Sequence, residues 1–67
     1  MSVTKVIEVI AGSDKSFEDA VQNALTEASK SVKHIRSIYV KEMNAKVEDN
    51  KIISWGVNAK ISFIVQE

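Results

Sequence analysis

Few residues in this chain of 67 can do chemistry. There is no cysteine, and His34 is the only side chain whose ordinary titration falls near neutral pH. A nucleophile–base pair therefore has nothing to be built from, and no residue pair qualifies as acid, base or nucleophile. The sequence points to a protein that is not an enzyme. Carboxylates occur on the strand pattern at Glu42 and at the turn at Glu48-Asp49, without the Asp-x-Asp-x-Asp spacing or the His pair that organises a metal site. Glu42 and Glu48 could meet calcium only if symmetry gathered them from several copies. Gly12-Ser13-Asp14 precedes a helix but lacks the glycine spacing and the lysine of a phosphate loop. Two aromatic residues could stack a planar ligand, Trp55 and Tyr39, and Lys41 and Lys60 could meet a phosphate or a carboxylate.

The elements that position these residues follow from the apolar spacing. Val3 to Ile10 reads as a strand with Val3, Ile7 and Val9 on one face and Val6 and Ile10 on the other, so both faces want cover. Ala11 to Lys15 breaks it. Ser16, with Asp19 three residues on, opens a helix from Phe17 to Lys33 in capping-box fashion. Phe17, Ala20, Val21, Ala24, Leu25, Ala28 and Val32 fall in one stripe of that helix. Glu18 and Asp19 in its first turn, and Lys30, Lys33 and His34 towards its end, match the helix dipole.

Ile35 to Val47 and Lys51 to Val65 alternate as two strands meeting at Asp49-Asn50, residues that tolerate the positive φ of a two-residue hairpin turn. With Glu48 facing Lys51, Val40 lies opposite Ala59 and Ile38 opposite Ile61. One face then carries Ile53, Trp55, Val57, Ala59, Ile61, Phe63 and Val65 and meets the helix. The other presents Ile35, Ser37, Tyr39, Lys41 and Met43 beside Ser54, Gly56, Asn58, Lys60 and Ser62, a mixed surface suited to a wet contact between copies or to a ligand cleft. A bulge would shift this register near the turn. The third strand has the most complete apolar face and belongs at the centre.

The expected fold is α+β, a single β-α-β-β domain over residues 1–67, with a three-stranded antiparallel sheet packed on one helix. Strands of about 13 residues reach about 43 Å, and the helix only about 25 Å. Apolar sheet is left over. A domain this small is marginal alone, and with disulfides excluded the remaining remedy is oligomerisation with copies of itself. Nine basic residues balance nine acidic ones, which offers no broad positive field for nucleic acid or anionic lipid. No membrane-length apolar run and no secretory pattern at Met1 to Lys5 are present, which makes the cytoplasm the expected address.

The order of elements, the Val-Ile-Glu-Val-Ile of the first strand (Val6 to Ile10), Ser13-Asp14-Lys15-Ser16-Phe17-Glu18-Asp19-Ala20 and the closing Val57-Asn58-Ala59-Lys60-Ile61-Ser62-Phe63 together resemble the dodecin family over nearly the whole chain. That resemblance implies a hollow homo-dodecamer with 23 symmetry that binds flavins in pairs at its two-fold contacts. Flavin-binding dodecins stack the isoalloxazine on a tryptophan of the second strand and hold it with a glutamine of the third; the matching positions here are Ser37 and Gly56. Loss of the stack alone costs about 1–3 kcal/mol, roughly one to two decades of affinity. The resemblance thus implies a storage or binding protein with a degenerate flavin site, its ligand held by Ser37, Tyr39, Lys41, Gly56, Lys60 and neighbouring backbone. The alternative it offers is the flavin-lacking, calcium-associated branch, whose function is the shell itself or ion binding through Glu42 or Glu48.

Overall fold

The structure is a computed structural model describing residues 3–66; Met1 and Ser2, read above as leading into the first strand, and Glu67 lie outside the described residues. The elements are β1 (Val3–Ser13), α1 (Phe17–Ala28), β2 (Ile35–Glu48) and β3 (Lys51–Gln66). They form one antiparallel sheet in the order β1-β3-β2, so the strand with the fullest apolar face is central as its sequence requires.

The helix lies on that face through its alanines. Ala20, Ala24 and Ala28 are buried against a sheet core of Val57, Ala59, Ile61 and Phe63, while Phe17, Val21 and Leu25 flank the contact half-buried. Small side chains at these positions let the helix backbone lie close to the sheet.

The helix begins at the expected place. Ser16 is the N-cap and its Oγ accepts from the Asp19 N–H at 2.9 Å. Asp19 does not return the bond to the Ser16 backbone as a capping box would. Its carboxylate instead accepts from Ser13 Oγ at 2.6 Å, and that hydroxyl also takes the N–H of Lys15 at 2.9 Å. Ser13 therefore ties the end of β1 to the first helical turn.

The helix ends at Ala28, short of Lys33, because Ser29 and Ser31 are weak helix formers followed by a residue in the left-handed region, His34 at φ 61°. Ser29 Oγ donates to the Thr26 carbonyl at 2.7 Å, a local bond that competes with helix continuation. No basic residue lies in the last turn, so the dipole pairing expected of Lys30, Lys33 and His34 is not made. His34 lies six residues past the helix, its carbonyl accepting from the Ile64 N–H at 3.1 Å.

β1 runs on through Gly12 to Ser13 because Ala11, Gly12 and Ser13 pair with Val57, Gly56 and Trp55. At the hairpin, Asp49 and Asn50 take φ of 52° and 62°, the pair of positive values that a type I′ turn requires. Glu48 faces Lys51, Val40 faces Ala59 and Ile38 faces Ile61, as the turn dictates.

The ladder slips twice between the turn and Val40, in opposite senses that cancel, and once more beyond Ile38. Ile53 is an extra residue on β3, and Lys41 and Arg36 are extra residues on β2. Because side chains alternate with period two, each slip exchanges the faces of the strand. Met43 now pairs with Val57 and Ile35 with Phe63, so both leave the mixed face for the helix side of the sheet. Glu42, Asn44 and Lys46 take the opposite side, paired with Asn58, Gly56 and Ser54. Ile53 and Val65, expected on the core face, are exposed, Val65 where the β1–β3 pairing also shifts.

The molecule measures 53 × 19 × 13 Å with a radius of gyration of 13.8 Å, against about 11 Å for a compact domain of this length. A twelve-residue helix, about 18 Å long, covers only part of it. The accessible surface is 5001 Å², against about 4200 Å² for a monomer of this mass.

Candidate functional site

The side of the sheet away from the helix is built in cross-strand rows. Val6, Ser62 and Ser37 form one row, and Glu8, Lys60 and Tyr39 the next. Ile10, Asn58 and Glu42 follow, then Gly12, Gly56 and Asn44. Tyr39 is 67% exposed, Val6 58% and Ile10 80%, so aliphatic and aromatic groups interleave with polar ones on an uncovered face. Val6 and Ile10 were expected to be covered, and within one chain they are not.

The sequence-derived site residues divide into two groups. Tyr39 and Lys60 are direct cross-strand partners, and Lys41, from its bulge, reaches Glu8 with its ammonium 3.5 Å from the carboxylate. That pair is about half exposed, which limits it to at most about 1 kcal/mol. Ser37 shares a 2.6 Å hydrogen bond with Ser62. Gly56 stands six residues along β3 from Ser62, about 20 Å away. A single chain thus brings Tyr39, Lys41 and Lys60 together and leaves Gly56 at the other end of the face.

Gly56 lies in a hollow of about 390 Å³ walled by Ile10, Glu42, Asn44, Lys46, Ser54 and Asn58. Its floor is backbone where Gly12 pairs with Gly56, and the Gly12 carbonyl is anchored from behind by Asn23 Nδ2 at 3.0 Å. Asn58 Oδ1 is buried in this region with no hydrogen-bond partner. Glu42 enters the hollow because of the Lys41 bulge, whereas Glu48 stays at the hairpin tip opposite Lys51. Among the described residues no three His, Cys, Asp or Glu side chains converge on a point. Trp55 is half-buried on the helix side, in a row with Ser13 and Ala45, and also borders the hollow.

Asn44 and Lys46 are absent from the residues chosen by sequence because strict alternation from the turn puts them on the wrong face. The signal that would have found them is the extra residue at Ile53, between the turn and Lys46, and no residue type marks it.

The Dodecin family profile spans residues 3–66. The chain belongs to the dodecin family. Solved dodecin structures superimpose along its length. A variant of the dodecin from Thermus thermophilus matches with TM-score 0.92 and 27% identity over 100% of both chains. The dodecin of Streptomyces coelicolor matches with TM-score 0.90 and 29% identity, covering 98% of this chain and 94% of that one. The calcium dodecin of Mycobacterium tuberculosis, described as a calcium-chelating immunodominant antigen with a novel calcium-binding site, is 35% identical with TM-score 0.80, covering 92% of this chain and 89% of that one. No curated protein sequence matches. No helix among the described residues is long and apolar enough to cross a membrane.

Proposed function

We propose that this dodecin is a cytoplasmic, non-enzymatic binding and storage protein. Twelve copies form a hollow shell, and a flavin or another nucleotide-like cofactor is held on the face that runs from Ser37 and Tyr39 to Gly56. The observation that carries this reading is the uncovered outer face: Val6, Ile10 and Tyr39 stand 58%, 80% and 67% exposed beside a hollow of about 390 Å³. Apolar groups in such number on one face call for a partner surface, and in this family the partner is another copy.

The face suits such a ligand unevenly. Its polar half is present, in Lys60, Lys41, Asn44 and Asn58. The stacking platform is not, since Ser37 spends its hydroxyl on Ser62 and the ring nearest to it in sequence on that face is the exposed Tyr39. We read this as a weaker ligand site than one with tryptophan at position 37, in the range of one to two decades.

A second reading is a calcium-binding or purely structural shell. The similarity to the calcium dodecin of Mycobacterium tuberculosis favours it, as does the entry of Glu42 into the hollow. Calcium takes six to eight oxygens, so Glu42 would need oxygens from further copies, and Glu48 would join only at a contact between hairpin tips.

Native mass spectrometry of the protein isolated from its own cells separates these readings. A twelve-fold mass plus flavin or nucleotide mass supports the storage reading. A twelve-fold mass carrying calcium alone, or nothing, replaces it with the second, and a monomer removes both.

A further inference from the structure

We propose that the outer half of the β2–β3 hairpin is a two-register element, and that a second copy seated on its helix side holds it in the register seen here. This rests on the reading that copies of the chain associate, and it names a change of register that association controls.

Glu42 to Lys46 pair with Ser54 to Asn58 one residue out of step with the ladder on either side. Toward the turn Val47 faces Ile52 and Glu48 faces Lys51, and beyond the displaced stretch Val40 faces Ala59 in the register that the turn sets. The extra residues, Ile53 on β3 and Lys41 on β2, act in opposite senses, so they bound the stretch and cancel. If both are absorbed the ladder becomes continuous. Lys46 then faces Ile53, Ala45 faces Ser54 and Met43 faces Gly56. Each bulge leaves one residue out of the ladder, so the continuous register gains pairing at two places.

Little within one chain opposes the exchange. Register is specified strongly where one face is buried and weakly where neither is, and every residue from Lys41 to Asn50 is exposed. β2 is an edge strand, and β1 ends opposite Trp55, so β2 and the tip of β3 can turn over without breaking a β1 pair. Gly56 stands against Asn44 in the observed register, where a Cβ would lie 2.8 Å from Asn44 Oδ1, and against Met43 in the continuous one. Having no side chain, it makes room for either.

The bulges choose a face. With them, Met43, Ala45, Val47 and Ile52 join Trp55 on the helix side, and Glu42, Asn44 and Lys46 take the other. Without them the two β2 sets change places. The helix does not cover the apolar set, since Met43, Val47 and Ile52 remain 56%, 63% and 52% exposed. Gathering such groups on one side despite two bulges is favourable where a partner removes them from water. Balanced charge recruits no partner of opposite sign. The accessible surface of 5001 Å², against about 4200 Å² for a monomer of this mass, assigns the cover to a second copy. Association and register are then linked: the copy that binds the bulged register better shifts the hairpin toward it, and locking the continuous register weakens association by the same factor.

The chain has no cysteine, so introduced pairs report the register directly. Ala45→Cys with Ser54→Cys sets two thiols opposite each other only in the continuous register; in the bulged one they lie on opposite faces and cannot bridge. Lys46→Cys with Ser54→Cys is opposite only in the bulged register. Each double variant is equilibrated in a glutathione redox buffer, as the assembled particle and as small species obtained by dilution or from Ile10→Asp. Peptide mass reads the intrachain bridge and light scattering reads the particle. The 46–54 bridge should close in the particle without changing its mass. The 45–54 bridge should close at least about fivefold more readily in the small species, and the oxidised protein should fail to assemble where its reduced form does. The proposal falls if the 45–54 bridge stays open in the small species, if it closes inside a particle of unchanged mass, or if the 46–54 bridge stays open in the particle. A wild type that is monomeric at every concentration removes the associated reading and the partner copy with it; the two registers then stand if both bridges close in the monomer and fall if only one does.

Discussion

Replacing Ile10 with Asp tests the assembly at its most exposed aliphatic group. Ile10 lies on the outer face opposite Asn58 and is 80% exposed in one chain, so its side chain contributes little to the fold of its own subunit. Fully burying an isoleucine is worth about 1.5–3 kcal/mol; the four-fifths still exposed leaves about 1–2.5 kcal/mol per copy for a neighbour to recover. Ile10→Asp forfeits that gain and asks the contact to desolvate a carboxylate, a further penalty of several kcal/mol per copy. Multiplied over twelve copies, the sum far exceeds what an assembly tolerates. Light scattering coupled to size exclusion should show the twelve-fold particle replaced by small species at micromolar concentration. Far-UV circular dichroism should retain the strand and helix signals. Ile10→Ala, which adds no charge, should assemble with a lower dissociation midpoint on dilution. An Ile10→Asp protein of the same mass and dilution stability as wild type would refute the reasoning, because it would mean that no copy covers this row.

Two further substitutions test how the elements are joined. Ser13→Ala removes the hydroxyl that accepts from the Lys15 N–H and donates to Asp19. The loss is about 1 kcal/mol, seen as a thermal midpoint about 4–8 °C lower, and an unchanged midpoint would show the knot to be energetically idle. At the hairpin, Asn50 sits at φ 62°, where a β-branched residue is strained by about 1–2 kcal/mol. Asn50→Val should lower the denaturant midpoint accordingly while Asn50→Gly holds or raises it.

Three things were legible in the sequence because each rests on local chemistry or on a count. The helix start followed from Ser16, whose side chain caps the N–H three residues on. The turn followed from Asp49-Asn50, whose short polar side chains tolerate positive φ. The central place of β3 followed from its unbroken apolar alternation. The mismatch between hairpin and helix was likewise visible in strand length alone, and the 53 Å molecule enlarges it.

The face on which each β2 residue stands was not legible, and the candidate site depends on it. Strict alternation from the turn sends Glu42, Asn44 and Lys46 to the helix side; the extra residue at Ile53 reverses their parity, and the extra residue at Lys41 restores the original parity for Val40 and Ile38. A bulge is a property of two strands twisting against each other, settled by which side chains pack best across the pair, and no residue type at Lys41 or Ile53 announces it. Sequence by itself determined the order of the elements, the start of the helix and the turn, but not where the helix or the first strand ends. Only the tertiary structure decided that Asn44 lies over Gly56 beside the unpaired oxygen of Asn58, because long-range pairing, unlike a cap or a turn, is fixed by residues distant in the chain.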